Sequence, residues 1–260
     1  MTPSLLDVET RAQQSLGISR QITGLSEPRK DVETRARQSL GNSGDPIYRA
    51  VADAVAERHS GGGILIDVRC GAGNLWSYLR SRFDRYVGVD VVRYEGLPDT
   101  VEFHRIDLDT GRAPLPDGAG DAVVAVETIE HLENPRAFVR ELTRLARPGG
   151  WMVVTTPNQL SLLSKMTLVV KNEFNAFQSG SYPAHLTALL EADLRRIGGE
   201  CGWLDVAVAY THSGRIPGTA RHWPRSLSRL IPRTLSDNVL VIGRSPTAPS
   251  RPSTGRVADP

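Results

Sequence analysis

The sequence predicts an α/β domain, a mostly parallel sheet with helices on both faces. Three observations carry that expectation. Short apolar runs alternate with helix-like stretches over residues 45–243, the pattern of βα units winding a parallel sheet. Asp121-Ala-Val-Val-Ala-Val126 is apolar after its first residue, as a strand covered on both faces must be. Ile64-Leu65-Ile66-Asp67-Val68 runs into Arg69-Cys70-Gly71-Ala72-Gly73-Asn74. That is a strand, a glycine turn and a helix start, which brings bare backbone N–H groups up to a ligand.

The elements follow in order. Residues 1–44 are expected to be a duplicated, disordered extension, because Asp7–Gly17 returns almost unchanged as Asp31–Gly41 and two units are too few for a solenoid. Asp45-Pro46 reads as an N-cap and first helical residue, with Ile47, Val51, Ala54 and Val55 on one face. Ser60-Gly61-Gly62-Gly63 stops that helix. The first strand and turn lead into a helix over Leu75–Arg82. Arg85–Asp90 is a second strand and Val101–His104 a third. After the loop at Pro114 and Pro116 comes the strand Asp121–Val126. Asn134-Pro135 opens a helix lined by Phe138, Leu142 and Leu145, and Pro148-Gly149-Gly150 closes it. Trp151–Thr155 is the fifth strand. Residues 159–184 read as an insertion over the site. Leucines at 186, 189, 190 and 194 with Ile197 predict a helix from Ala184 to Gly198. Trp203–Tyr210 and Asn238–Gly243 are the last strands, joined by an Arg- and Pro-rich loop over 213–233. Residues 244–260 read as a disordered tail.

Composition narrows the function classes. The chain has 260 residues, 40% of them hydrophobic and 23% charged, enough for one domain with a sizeable core. A net charge of +2 gives no reason to expect nucleic acid or an anionic membrane as partner. Cys70 and Cys201 lie far apart, and the start of the chain is polar. Both suggest a reduced, cytoplasmic setting.

In such sheets the ligand lies at the carboxyl ends of the strands, where the winding reverses. Asp67, Asp90, Asp107 and Glu127 all fall at or just after predicted strand ends and so should gather on one rim. A carboxylate in the place of Asp90 can accept from both hydroxyls of a ribose. The turn lacks the third glycine of the dinucleotide fingerprint G-x-G-x-x-G; Asn74-Leu75-Trp76 follow Gly73 instead. Asp67 precedes the glycines as D-x-x-x-G-x-G, and an acid there suits a ligand with an ammonium group better than a pyrophosphate.

Six segments in order, with their spacing, resemble the class I S-adenosylmethionine-dependent methyltransferases. They are Ile66–Gly73, Gly88-Val89-Asp90, Ile106-Asp107-Leu108, Val126-Glu127-Thr128-Ile129-Glu130-His131-Leu132, Arg147–Trp151 and Thr155-Thr156-Pro157-Asn158. The resemblance covers residues 45–243. It implies a Rossmann-like, doubly wound sheet of seven strands in the order 3-2-1-4-5-7-6, the last strand antiparallel, and S-adenosyl-L-methionine as cofactor. Asp67 and the Gly71–Gly73 backbone would hold its amino-acid end, and Asp90 its ribose. Asp107 and the Leu108 backbone would meet the adenine, and Glu127 the methionine portion. The chain departs from the pattern at Arg69, where glycine is expected. An arginine there crowds the cofactor, swings to solvent, or pairs with its carboxylate.

The function expected is methylation of a small-molecule acceptor, on oxygen, by in-line transfer. A hydroxyl acceptor needs a base, and histidine is the side chain for it near neutral pH. His131, after the fourth strand, and His185, after the insertion, are the candidates. A metal is not expected, because no tight cluster of histidines and carboxylates is visible in the sequence. The expected assembly is a monomer or homodimer. Two other classes remain open: a non-catalytic protein that binds the same cofactor, and an NAD-dependent oxidoreductase.

Overall fold

The computed structural model describes residues 30–38 and 41–247. Its centre is a seven-stranded sheet. In chain order the strands are β1 (Ile64–Val68), β2 (Arg85–Asp90), β3 (Glu102–Arg105), β4 (Gly120–Ala125), β5 (Ala146–Pro157), β6 (Leu204–Tyr210) and β7 (Asn238–Arg244). Across the sheet they lie in the order β3-β2-β1-β4-β5-β7-β6. All neighbours pair in parallel except β7, which runs antiparallel to both β5 and β6. The expected order and the single reversed strand are therefore both present.

The period-2 alternation of strands assigns each apolar residue to a layer. Ile66, Val68, Val123 and Ala125 face one way, towards Phe138, Leu142 and Leu145 of α4 (Pro135–Leu145) and Leu194 and Ile197 of α6 (Glu191–Glu200). Leu65, Val124 and Leu240 face the other way, towards Ile47, Val51 and Val55 of α2 (Asp45–Ala56) and Leu75 and Leu79 of α3 (Asn74–Leu79). Asp67 shares the Leu65 parity and so points to the α2 side. Helix α4 starts where the sequence says: Asn134 is its N-cap, its side chain accepts from the Ala137 N–H at 3.0 Å, and Pro135 follows.

Five expectations change. Residues 30–38, in the second copy of the repeat, form a helix, α1 (Lys30–Gln38), which buries Ala36 against Val91 and Val92. The first copy lies outside the described residues, as do residues 248–260 of the expected tail; that tail's start is ordered instead, Arg244 ending β7 and Ser245 N–H donating to Gly150 O at 2.8 Å. Gly44, not Asp45, is the N-cap of α2. No helix begins at Ala184. Glu130 O accepts from the N–H groups of Leu186 and Thr187 at 2.8 and 3.0 Å, and 185–190 run without helix up to α6. The stretch 213–233 is not all loop; it contains α7 (Arg225–Leu230) and the start of α8 (Pro232–Leu235). The insertion contains α5 (Leu162–Lys171) and two 3₁₀ turns.

Candidate active site

Parallel pairing of β1 with β2 and β4 brings their carboxyl ends to one rim, and the winding reverses between β1 and β4. Asp67, Asp90 and Glu127 stand there, and Asp107 follows β3. The glycine turn is bent by left-handed residues, Gly71 at φ 53° and Gly73 at φ 79°. Arg69 is left-handed too, at φ 65°, a conformation that favours the glycine it replaces. What crowds the turn is the protein's own backbone. A Cβ on Gly71 would lie 2.0 Å from Gly41 O, and Ala72 N–H donates to that same carbonyl at 3.1 Å.

The carboxylates are held in different ways. Asp90 is buried, and its oxygens accept from Gly71 N–H at 2.9 Å and Val91 N–H at 2.7 Å. Burial raises its carboxyl, against Arg69 and these N–H groups. Asp67 accepts from the Tyr86 hydroxyl through Oδ2, while Oδ1 is buried with no hydrogen-bond partner. Burial pushes Asp67 up to about 7; the Tyr86 hydroxyl pulls down and the Asp90 charge adds to the rise. Glu127 accepts from Thr155 Oγ1 and Asn238 Nδ2, both at 2.8 Å. Burial raises it to about 7 despite these donors and Arg69. Asp107 Oδ1 accepts from Asp109 N–H at 3.0 Å.

Two cavities meet at Arg69. One is lined by Asp67, Glu127, Glu130 and His185, with Gly41–Gly44 and Tyr48 across from them. The other is lined by Asp90, Ile106, Asp107 and Leu108, with Val32 and Ala36 of α1 closing it. Arg69 and His131 line both. The guanidinium donates to Glu127 O at 3.4 Å, so it neither points to solvent nor leaves the rim. Every residue named from sequence for the site lines one of the two cavities except Gly71 and Gly73, which shape the turn beside them.

His131 ends the 3₁₀ turn Ile129–His131. His185 comes in just after the insertion, and the two rings meet edge to face at 4.7 Å. Burial lowers His185, so the ring is held neutral. Glu130 is fully buried beside them. Burial, then the Glu127 charge, raises its carboxyl well above the ordinary range. Glu130, His131 and His185 thus form a tight cluster of histidines and a carboxylate, which was not expected from the sequence. The insertion contributes Ala184 to the second cavity and His185 follows it into the first, whereas Lys165, Lys171 and Tyr182 of the insertion line neither.

Several residues escaped sequence reading. Gly41–Gly44 line the first cavity, and only the repeat drew attention to that part of the chain. Tyr86, at the second position of a strand, carries no sequence mark of its bond to Asp67. Glu130 stands in Glu-x-x-Glu-His, but sequence neighbours on a helix do not face each other; a tight 3₁₀ turn and His185 from elsewhere in the chain bring it into the cluster.

The sequence matches the methyltransferase domain family over residues 44–207. A Mycolicibacterium smegmatis protein named for S-adenosylmethionine-dependent methyltransferase activity is 31% identical over 147 residues, 55% of this chain and 56% of that one. The ubiquinone biosynthesis O-methyltransferase of Chromobacterium violaceum is 29% identical over 116 residues, 40% of this chain and 49% of that one. The chain thus spans about half the length of these relatives. Among solved structures, one from the complex between the Haloferax volcanii Trm112 methyltransferase activator and a methyltransferase superposes with a TM-score of 0.60 at 18% identity, over 84% of this chain and 99% of that one. At that identity the likeness concerns the fold.

Proposed function

We propose that this chain, which belongs to the class I S-adenosylmethionine-dependent methyltransferases, catalyses methyl transfer to an oxygen of a small-molecule acceptor. The observation that carries the reading is the pair of cavities meeting at Arg69, acid-lined on both sides. S-adenosylmethionine would supply the chemistry, an electrophilic methyl carbon that the acceptor oxygen attacks in line, the carbon–sulfur bond breaking as S-adenosylhomocysteine leaves.

The residues present fit that group. Asp67 Oδ1, buried with no hydrogen-bond partner, is placed to take an ammonium. Asp90 accepts from three backbone N–H groups, two on Oδ1 and one on Oδ2, and its Oδ2 keeps a lone pair for a ribose hydroxyl. Asp107 and the Leu108 N–H offer an acceptor and a donor to the adenine edge in the second cavity. Gly71 and Gly73 bend the turn that sets these groups. Glu127, fixed by Thr155 and Asn238, borders the methionine side. His131 and His185 take the part of drawing the proton from the acceptor hydroxyl, the lowered His185 keeping a neutral ring for it.

The first cavity is lined by Asp67, Glu127 and Glu130 with Arg69 as its one Lys or Arg side chain, and such a lining supports a small molecule over nucleic acid as acceptor. Among the described residues no helix is long and apolar enough to cross a membrane. The ubiquinone-pathway relative, named an O-methyltransferase, supports oxygen as the acceptor atom. Thermal-shift titration with S-adenosylmethionine, S-adenosylhomocysteine and NAD tests the cofactor. The two adenosyl ligands should stabilise the fold in proportion to their excess over the dissociation constant, and a response to NAD alone overturns the reading. Mass-spectrometric turnover on a panel of hydroxyl and amine acceptors tests the reaction. Cofactor binding without any turnover would make the chain a binding protein.

A further inference from the structure

Glu130, His131 and His185 share a geometry beyond proximity. One nitrogen or oxygen from each lies within 4.8 Å of the others. Both rings are oriented by backbone carbonyls: His131 Nδ1 is 2.6 Å from Ala184 O, and His185 Nδ1 is 2.5 Å from Ala176 O. A carbonyl can only accept, so in the neutral rings Nδ1 carries the proton and Nε2 the lone pair. Thr156 Oγ1 donates to Glu130 Oε2 at 3.2 Å. The other oxygen, Oε1, is buried with no hydrogen-bond partner and faces His131 Nε2 at 3.9 Å.

We propose that Glu130 Oε1, His131 Nε2 and His185 Nε2 bind a divalent transition-metal cation of the zinc type. Two imidazoles and a carboxylate are a donor set for zinc, cobalt or manganese rather than for magnesium. A carbonyl on the far nitrogen of each ring is the support that orients metal-binding histidines. Tetrahedral ligand bonds of about 2.1 Å put donor atoms about 3.4 Å apart, so Glu130 Oε1 and His131 Nε2, at 3.9 Å, need only a small side-chain rotation to close on one cation. The frame is firm: Glu130 O holds Leu186 and Thr187, and Thr187 Oγ1 donates to Leu132 O at 2.8 Å. Glu127 adds negative charge on the same cavity wall, offsetting Arg69.

Three protein ligands leave a coordination position open. What the cation does there rests on the methyl-transfer reading. A hydroxyl docked at that position would have its pKa lowered and lose its proton to bulk water. The two histidines would then act as ligands rather than as bases.

The experiment uses the full chain, stripped of metal with a chelator. Zinc is titrated against a chromophoric competitor, and cobalt is followed by its visible absorption. The expected result is one zinc per chain, with affinity at least tenfold weaker in Glu130→Gln and in His185→Ala, and no competition from magnesium at the same concentration. No zinc binding, or equal binding by wild type and both variants, overturns the proposal. Circular dichroism checks that the variants fold. If they do not, X-ray absorption on the zinc-loaded wild type decides: two imidazole ligands support the site, and none refutes it. S-adenosylhomocysteine binding to the metal-free chain is measured in parallel. Failure there refutes the cofactor reading and leaves the metal result standing on its own.

Discussion

Arg69 is the residue on which the cofactor's fit turns. It holds a left-handed backbone that costs a non-glycine residue about 1 kcal/mol, and its guanidinium stands where the two cavities join. On the proposed placement, with its amino-acid end at Asp67 and its ribose and adenine at Asp90 and Asp107, the cofactor would span that junction. Arg69→Gly is therefore expected to relieve strain, join the cavities and tighten S-adenosylhomocysteine binding several-fold by calorimetry. Weaker binding would mean that the guanidinium pairs with the cofactor's carboxylate. Asp67 sets a pH dependence. Its folded value of about 7 lies above the unfolded value of about 3.9, so between the two the folded state binds more protons. Stability of the ligand-free chain contributed by this group is thus present at acid pH and lost as pH rises through about 7. Denaturant unfolding from pH 5 to 8 should show this loss in wild type and not in Asp67→Asn. Ligand affinity should move the opposite way, rising through the same range, because an ammonium prefers the ionised carboxylate. The identity of Asp67 as an acid ahead of the glycines was legible in the sequence. Its burial and its bond to Tyr86 were not, because they depend on β1 and β2 lying side by side.

At the scale of elements, α4 shows how far local signals reach. Asn134, Pro135 and the spacing of Phe138, Leu142 and Leu145 specify a capped, one-faced helix, and the structure has it. Asn134→Ala should cost about 1 kcal/mol in denaturant unfolding, and Leu142→Ala, fully buried, roughly 2–5 kcal/mol. The segment 184–190 shows the limit. Its leucines have helical spacing, yet the Glu130 carbonyl takes two of its N–H groups. A tertiary hydrogen-bond partner outweighs a propensity of a few tenths of a kcal/mol per residue. That same pairing is what carries His185 to His131, so the failed helix and the assembled site have one cause.

Across the whole molecule, the chain ahead of α2 is part of the site. Helix α1 packs on the end of β2, Tyr94 Oη donates to Ala36 O at 2.6 Å, and Arg105 pairs with Glu33 at 2.7 Å. Gly41–Gly44 then pass over the glycine turn. Deleting residues 1–44 is expected to weaken S-adenosylhomocysteine binding at least tenfold by calorimetry while the sheet still folds, since α1 contributes to neither of the two large core clusters. Unchanged affinity would show that this segment is dispensable.

The sequence by itself determined the strand order, the single reversed strand, the rim of acids and the family. The rim of acids follows from local periodicity and glycine placement, which act over a few residues; the strand order and the reversed strand follow from the family resemblance that the six motifs carry. Only the tertiary structure decided that Arg69 lies inside the junction, that the second repeat copy ends as a cover over the turn, and that Glu130, His131 and His185 converge. Each of these brings together residues more than twenty positions apart, and their meeting is fixed by packing and backbone hydrogen bonds that no local pattern records.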